Sequence, residues 1–267
     1  MKHRESKVDW IKSFYDSAAD WWGASWYNGE NLQGRLEIIR QYGNQDNQHI
    51  LELAAGTGET AAYLCDHDYS VTAVDISKRN IELMCEMKKN RPSLQVVEGD
   101  LLKVQISEKF PTICMFEAFG MGSDQDQRML LKRIKMDWLQ KGGVFILDVY
   151  HPCGPIKAAG QKRILDRLEN IPGSVDMTEY SYYDGIKNRW INIWEPVNDK
   201  ESARIQSIRC YTPADLILLL EGTGLIVQKI VYRGREIDFE SDEIRTENVL
   251  DDENRSYYYT AILEHEM

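Results

Sequence analysis

Near the start of the chain, Val8, Ile11, Phe14, Tyr15, Ala18 and Trp22 recur at helical spacing, with Lys12, Asp16 and Asp20 on the other face. The pattern predicts an amphipathic helix laid on an apolar surface. Gly23 to Gln33 reads as a loop. Leu32, Leu36 and Ile39 open a second helix that Gly43-Asn44 stops. From residue 48 short apolar runs alternate with helical patterns. Strands are predicted at His49–Ala55, Ser70–Asp75, Leu94–Val97, Thr112–Phe116 and Gly143–Tyr150. Helices are predicted at Glu59–Asp66, from a Ser77 cap to about Asn90, and at Gln127–Leu139. Apolar strands without alternation, separated by helices, imply a parallel sheet covered on both faces.

After His151-Pro152 the rhythm changes. Ile156 to Leu168 reads as one helix, and Ser174–Tyr183, Asn188–Glu195 and Ser202–Tyr211 alternate as an antiparallel meander. Asp184-Gly185 and Asn198-Asp199 supply the turns. Pro213 starts a helix through Leu220, ended by Gly222 and Gly224. Two further strands follow at Ile226–Tyr232 and Ser256–Leu263. The connector between them holds nine acids and one base over residues 236–253.

The first turn of the alternating region carries candidate chemistry. Glu52-Leu53-Ala54-Ala55-Gly56-Thr57-Gly58 leaves a strand and opens a helix, so backbone and free N–H groups can approach a ligand closely. Asp75 ends the second strand, where an acid can accept both hydroxyls of a ribose. The glycines alone also satisfy a dinucleotide fingerprint, with Ala61 as the third small residue. Glu52 inside the strand, Gly99-Asp100 after the third strand and the paired final strands separate the two readings.

With these features the chain resembles the class I S-adenosylmethionine (SAM)-dependent methyltransferases. The resemblance rests on ELAAGTGET (52–60), VTAVDIS (71–77), VVEGDLL (96–102), KGGVFILDVYHP (141–152) and RCYTPADLILLLEGTGL (209–225). It covers roughly residues 48–150 and 212–264. Ala54 stands where the family usually has glycine. The resemblance implies an α/β, Rossmann-like, seven-stranded and mostly parallel sheet with helices on both faces and an antiparallel last strand. An N-terminal helical cap (1–47) and an inserted helix plus antiparallel lid (152–211) complete the expectation around a core of 48–151 and 212–267.

It also implies SAM as cofactor and S-adenosylhomocysteine as product. Glu52 goes to the methionine amino group, and Ala54, Gly56 and Gly58 to the turn. Asp75 and Ile76 go to the ribose, Asp100 to the adenine amine with Leu101 beside the ring, and Glu117 to the sulfonium end. Glu117, His151 and Tyr15 are the catalytic candidates: an acid that orients an ammonium, a base of near-neutral pKa, and a phenol on the cap. Trp21, Trp22, Tyr27, Phe119, Tyr150, Arg209 and Tyr211 are the substrate candidates, and Arg35 a possible carboxylate holder. Family members of this size with an antiparallel lid suggest a small-molecule or modified-peptide acceptor, such as the N-terminal amine of an azole-modified peptide. The alternatives are O-methylation with His151 as base, a non-methylating SAM-fold binder or cyclase, and a nicotinamide oxidoreductase.

Net charge narrows the partners. Lys and Arg number 32 against 43 Asp and Glu, giving −11, which opposes phosphate-driven nucleic-acid binding. No run is long and apolar enough for a membrane span, and no apolar segment with a cleavage site follows the charged start. Cys65, Cys85, Cys114, Cys153 and Cys210 form no CxxC pair, so a reduced, cytoplasmic protein without a metal is expected.

Overall fold

The computed structural model describes residues 9–21, 29–167, 174–239 and 257–266. Helices α1 (Asp9–Trp21) and α2 (Gly29–Tyr42) precede the alternating region. There follow β1 (His49–Leu53), α3 (Glu59–Cys65), β2 (Ser70–Asp75), α4 (Lys78–Lys88), β3 (Leu94–Glu98), β4 (Phe110–Met115), α5 (Asp124–Arg133) and β5 (Leu139–Tyr150). The inserted region holds α6 (Cys153–Ala158), β6 (Lys162–Leu165), β7 (Met177–Asp184), β8 (Arg189–Pro196) and β9 (Arg204–Arg209). Helix α7 (Pro213–Leu220) and strands β10 (Leu225–Tyr232), β11 (Arg235–Ile237) and β12 (Tyr258–His265) finish the described chain.

The main sheet has the order β11-β10-β12-β5-β4-β1-β2-β3. Strands β1 to β5 pair in parallel, whereas β12 is antiparallel to both β5 and β10. Every residue of β4 and nearly every residue of β1 and β2 is buried, as apolar runs covered on two faces require. The parallel register brings the ends of β1, β2, β3, β4 and β5 to one edge, which is where such sheets hold ligands.

The sheet has eight strands rather than the expected seven. Arg233 and Gly234, both with positive φ, form a tight turn that folds Arg235–Ile237 back onto β10. This short strand was hidden in the acid-rich connector, most of which (240–256) lies outside the described residues. The single helix expected at Ile156–Leu168 is also corrected. Helix α6 ends at Ala158, the chain turns at Gly160, and Lys162–Leu165 pairs with β7 as an edge strand. The helix expected from Gln127 instead begins at Asp124, where Ser123 and Asp126 form a capping box, and ends in one π-helical turn over Ile134–Trp138. The Ser77 cap and the Pro213 helix start are both observed.

Strands β6 to β9 form a second, four-stranded antiparallel sheet. It is stapled to the loop after β4. Arg209 N–H donates to the Gly120 carbonyl at 2.8 Å. Arg189 donates to the carbonyls of Gly120 and Gly122 at 3.2 and 3.0 Å and to that of Ser207 at 2.7 Å. Helix α1 packs Phe14, Ala18 and Trp21 against Met177 and Trp194 of this lid. Its other side meets α4, where Ser77 Oγ donates to Asp16 at 2.7 Å. The cap therefore bridges the lid and the parallel sheet.

Arg189→Met keeps the apolar stem but removes the guanidinium donor from the Gly120, Gly122 and Ser207 carbonyls, of which Gly120 keeps the Arg209 N–H. The expected loss is about 2–3 kcal/mol of unfolding free energy, read by urea denaturation. Unchanged stability would show that the staple is dispensable.

Candidate active site

Two cavities open at the carboxyl edge of the parallel strands. One, of about 200 Å³, lies between the turn after β1 and the ends of β2, β3 and β4. The other, of about 400 Å³, lies beneath the lid. Tyr15, Gly56 and Glu117 line both, so the cavities meet there.

The turn after β1 makes the first cavity possible. Ala54 and Gly56 adopt positive φ of 54° and 58°. Alanine at 54 carries a strain that glycine would avoid. Gly58, at φ 92°, caps α3, and a β-carbon there would lie 2.3 Å from Met84 Cγ. The glycine is thus required both by its dihedral angle and by the approach of α4.

Three acids surround this turn. Glu52 is fully buried, with one carboxylate oxygen lacking any hydrogen-bond partner. Burial pushes its pKa up to about 8, against the opposing influence of Arg35; Glu59 and Asp75 push it further upward. Asp75 takes N–H groups from Gly56 and Ser77, each at 2.8 Å, and Asn80 Nδ2 at 3.2 Å. Burial still raises it to about 6. Asp100 accepts the Leu102 N–H at 2.9 Å through Oδ1. Its Oδ2 is buried and lacks a hydrogen bond, although the exposed Lys103 ammonium stands 3.2 Å away without hydrogen-bond alignment. Apolar side chains, including Leu101, Leu102, Met115 and Leu130, complete this cleft.

Glu117 sits where the cavities meet, also at positive φ (51°). Arg35, almost wholly buried, donates to Glu117 Oε1 at 2.7 Å and to Thr60 Oγ1 at 2.6 Å. Tyr150 Oη donates to the Glu117 carbonyl at 3.1 Å. The Glu117 N–H in turn serves the buried Asp148 carboxyl, which also accepts Thr260 Oγ1 at 2.6 Å. Burial raises Asp148 to about 7. A strained residue held from side chain, carbonyl and N–H at once is a preorganised one.

The sequence candidates divide accordingly. Ala54, Gly56, Asp75, Ile76, Asp100, Leu101, Glu117 and Tyr15 line the first cavity. Glu52 on β1 and Gly58 at the start of α3 flank its turn without lining the cavity. Tyr150 lines the second cavity. His151 lines neither; its Nδ1 accepts the Cys153 N–H at 3.3 Å. Phe119 is buried in the core against Tyr211. Trp21 packs into the cap–lid cluster. Arg209 and Tyr211 form a clamp on Asp124, at 3.2 and 2.8 Å, outside both cavities. Trp22 and Tyr27 lie outside the described residues. Arg35 holds a carboxylate of this chain itself.

Sequence reasoning did not single out Glu179, Gln206, Tyr257 and Tyr258, which line the lid cavity with Trp190, Asn192 and Trp194. The register supplies the missing signal. Asn192 pairs with Gln206 and Trp194 with Glu179, so these four belong to one face. Arg209 pairs with Arg189 on the other face.

Comparison with known proteins agrees with this geometry. The methyltransferase domain family matches residues 50–143, which span the turn, the three acids and Glu117. The cypemycin N-terminal methyltransferase of Streptomyces sp is 28% identical over 150 residues, covering 54% of this chain and 61% of that protein. The chain thus spans less than two thirds of that relative's length. The CcbJ methyltransferase of Streptomyces caelestis superposes with a TM-score of 0.74 at 17% identity, over 98% of this chain and 100% of that one. The glycopeptide N-methyltransferase MtfA, solved with SAM, superposes with a TM-score of 0.58 at 16% identity, over 88% of this chain and 94% of that one. Residues 50–143 thus form a methyltransferase domain, and the fold around them is that of the class I, SAM-dependent methyltransferases.

The residues present fit that cofactor. SAM offers an ammonium, a ribose diol and an adenine amine. The partnerless oxygen of Glu52 suits the first. Asp75 Oδ1 already accepts from Ser77 and Asn80, whereas Oδ2, which takes the Gly56 N–H, keeps a lone pair for the second. The buried Asp100 Oδ2 suits the third. The described residues hold no cluster of His, Cys, Asp and Glu arranged for a metal ion.

Two tests follow from this site. Gly58→Ala is expected to lose more than about 1 kcal/mol of stability from its dihedral alone, and SAM affinity with it, by denaturation and calorimetry. Glu52 binds its proton in the folded state up to about pH 8. The unfolded chain releases it near 4.5, so the contribution to stability is lost as pH rises between those values. Glu52→Gln is therefore expected to be more stable than wild type at pH 8 by on the order of 1 kcal/mol or more, with the gap closing below pH 5. A pH-independent gap would contradict the burial argument.

Proposed function

We propose that this protein transfers a methyl group from SAM to the nitrogen of an amine on a small molecule or modified-peptide natural product, in the cytoplasm. The observation carrying the proposal is the meeting of an acid-lined, apolar cleft with a larger aromatic cavity at Tyr15, Gly56 and Glu117. Bound SAM supplies a methyl group already activated by its sulfonium. The chain's own residues must then align the acceptor, exclude water and present a lone pair.

Glu117, which lines both cavities, is the residue we assign to the acceptor. Arg35 occupies Oε1, and Oε2 carries no hydrogen bond among the described residues. That oxygen can receive an N–H of the amine and direct its lone pair into the junction. Tyr15, held by Gln206 Nε2 at 2.7 Å, closes the junction from the cap. The cypemycin relative is named for action on an N-terminus, which favours a peptide amine as the first acceptor to try. His151 lines neither cavity, so oxygen methylation through that base is the weaker reading.

The test is incubation with methyl-labelled SAM and a panel of peptide and small-molecule amines, followed by mass spectrometry. Label on nitrogen is expected. Glu117→Gln should lower kcat by about 10²-fold. SAM binding without transfer to any amine would favour the non-methylating alternative.

A further inference from the structure

Among the described residues, each carboxylate that lines the lid cavity already holds a guanidinium, Glu117 that of Arg35 and Glu179 that of Arg163. Glu117 and Glu179 line it, and the sole cation lining it among the described residues is Arg163. Glu179 is almost wholly buried on β7, while Arg163 is half-exposed on the edge strand β6. Arg163 Nε donates to Glu179 Oε2 at 2.6 Å, and its Nη2 contacts the same oxygen. Asn192 Nδ2 donates to Glu179 Oε1. The guanidinium is thus committed to a protein carboxylate. The walls are aromatic: Trp190 stacks on Tyr257 at 4.9 Å and 12°, and meets Tyr150 edge-on at 5.6 Å. Trp194 and Tyr15 add to them.

A ligand carboxylate in this cavity would face two carboxylates and, among the described residues, only guanidiniums already committed to them, so it would lose its water without a free cation in return. An amine flanked by an uncharged amide or ring loses nothing comparable, and its charge suits both the acids and the aromatic faces. We infer that the cavity selects an amine whose neighbouring group is uncharged, as at the N-terminus of a peptide, and rejects zwitterionic amino acids, with the Arg163–Glu179 pair as the element that enforces the choice. This inference rests on the amine-methylating reading above.

The pair permits a test with a change of sign. Wild type is offered a short aromatic peptide as its C-terminal amide, and the matching amino acid as its amide and as its free acid. The amino acid amide should exceed the free acid in kcat/KM by about tenfold or more. Glu179→Gln keeps the shape but releases the charge of Arg163 toward the cavity. The amide-to-acid ratio should fall at least about threefold, chiefly through KM for the acid. Arg163→Gln should move the ratio the other way. Neither residue lines the SAM cleft, so calorimetric SAM affinity serves as the folding control. Equal use of acid and amide by wild type, or a ratio that both variants leave in place, overturns the inference while amine methylation stands. Absence of transfer to every amine overturns the underlying reading instead.

Discussion

The site depends on a shortage of positive charge at one edge of a parallel sheet. Glu52, Glu59, Asp75, Glu117 and Asp148 gather there, and Arg35 is the cation whose field reaches Glu52, Glu59 and Asp148 while it pairs directly with Glu117. Burying an ionised carboxylate without a partner is costly, so such groups hold protons or wait for a cationic ligand. Glu52, Asp75 and Asp148 are all raised by burial. The fold tolerates this because it places the acids on strand ends and their turns, where the apolar core beneath supplies the stability. The arrangement stays incomplete until a ligand brings positive charge, which is what a sulfonium and an ammonium do.

Arg35 also ties the added elements to the domain. It comes from α2, outside the matched domain segment, yet its guanidinium lies 4.9 Å above the Phe116 ring and bonds Glu117. Helix α1 plays a parallel role, since Tyr15 reaches both cavities and Gln206 of the lid. Cap, sheet and lid therefore meet at one small volume. The lid's stapling through Arg189 fixes the acceptor cavity relative to that volume.

Much of this was legible in the sequence. Strands buried on both faces announce themselves as apolar runs, so β1, β2 and β4 fell within a residue or two of expectation. Ser77 and Pro213 marked helix starts because their chemistry is local. Contacts that depend on distant pairing were not legible. The Arg35–Glu117 ion pair joins residues 82 apart. Arg209 and Tyr211 looked suited to a ligand, but alternation defines two faces of a strand without saying which one covers a cavity, and the register turned Arg209 toward Arg189. The segment after Pro155 misled because a short edge strand and a helix share the same few apolar positions, and pairing with β7 decided it.

The central claim is that the cleft, among the described residues, is built short of positive charge and that SAM completes it. Calorimetric titration of SAM at pH 7, repeated in buffers of different ionisation heat, tests this most directly. Glu52 holds a proton at that pH, and its pairing with the ligand's ammonium requires that proton to leave. Binding accompanied by net proton release, and suppression of that release in Glu52→Gln, is the predicted result. Binding with no proton exchange in wild type, or no binding of SAM at all, would contradict the account.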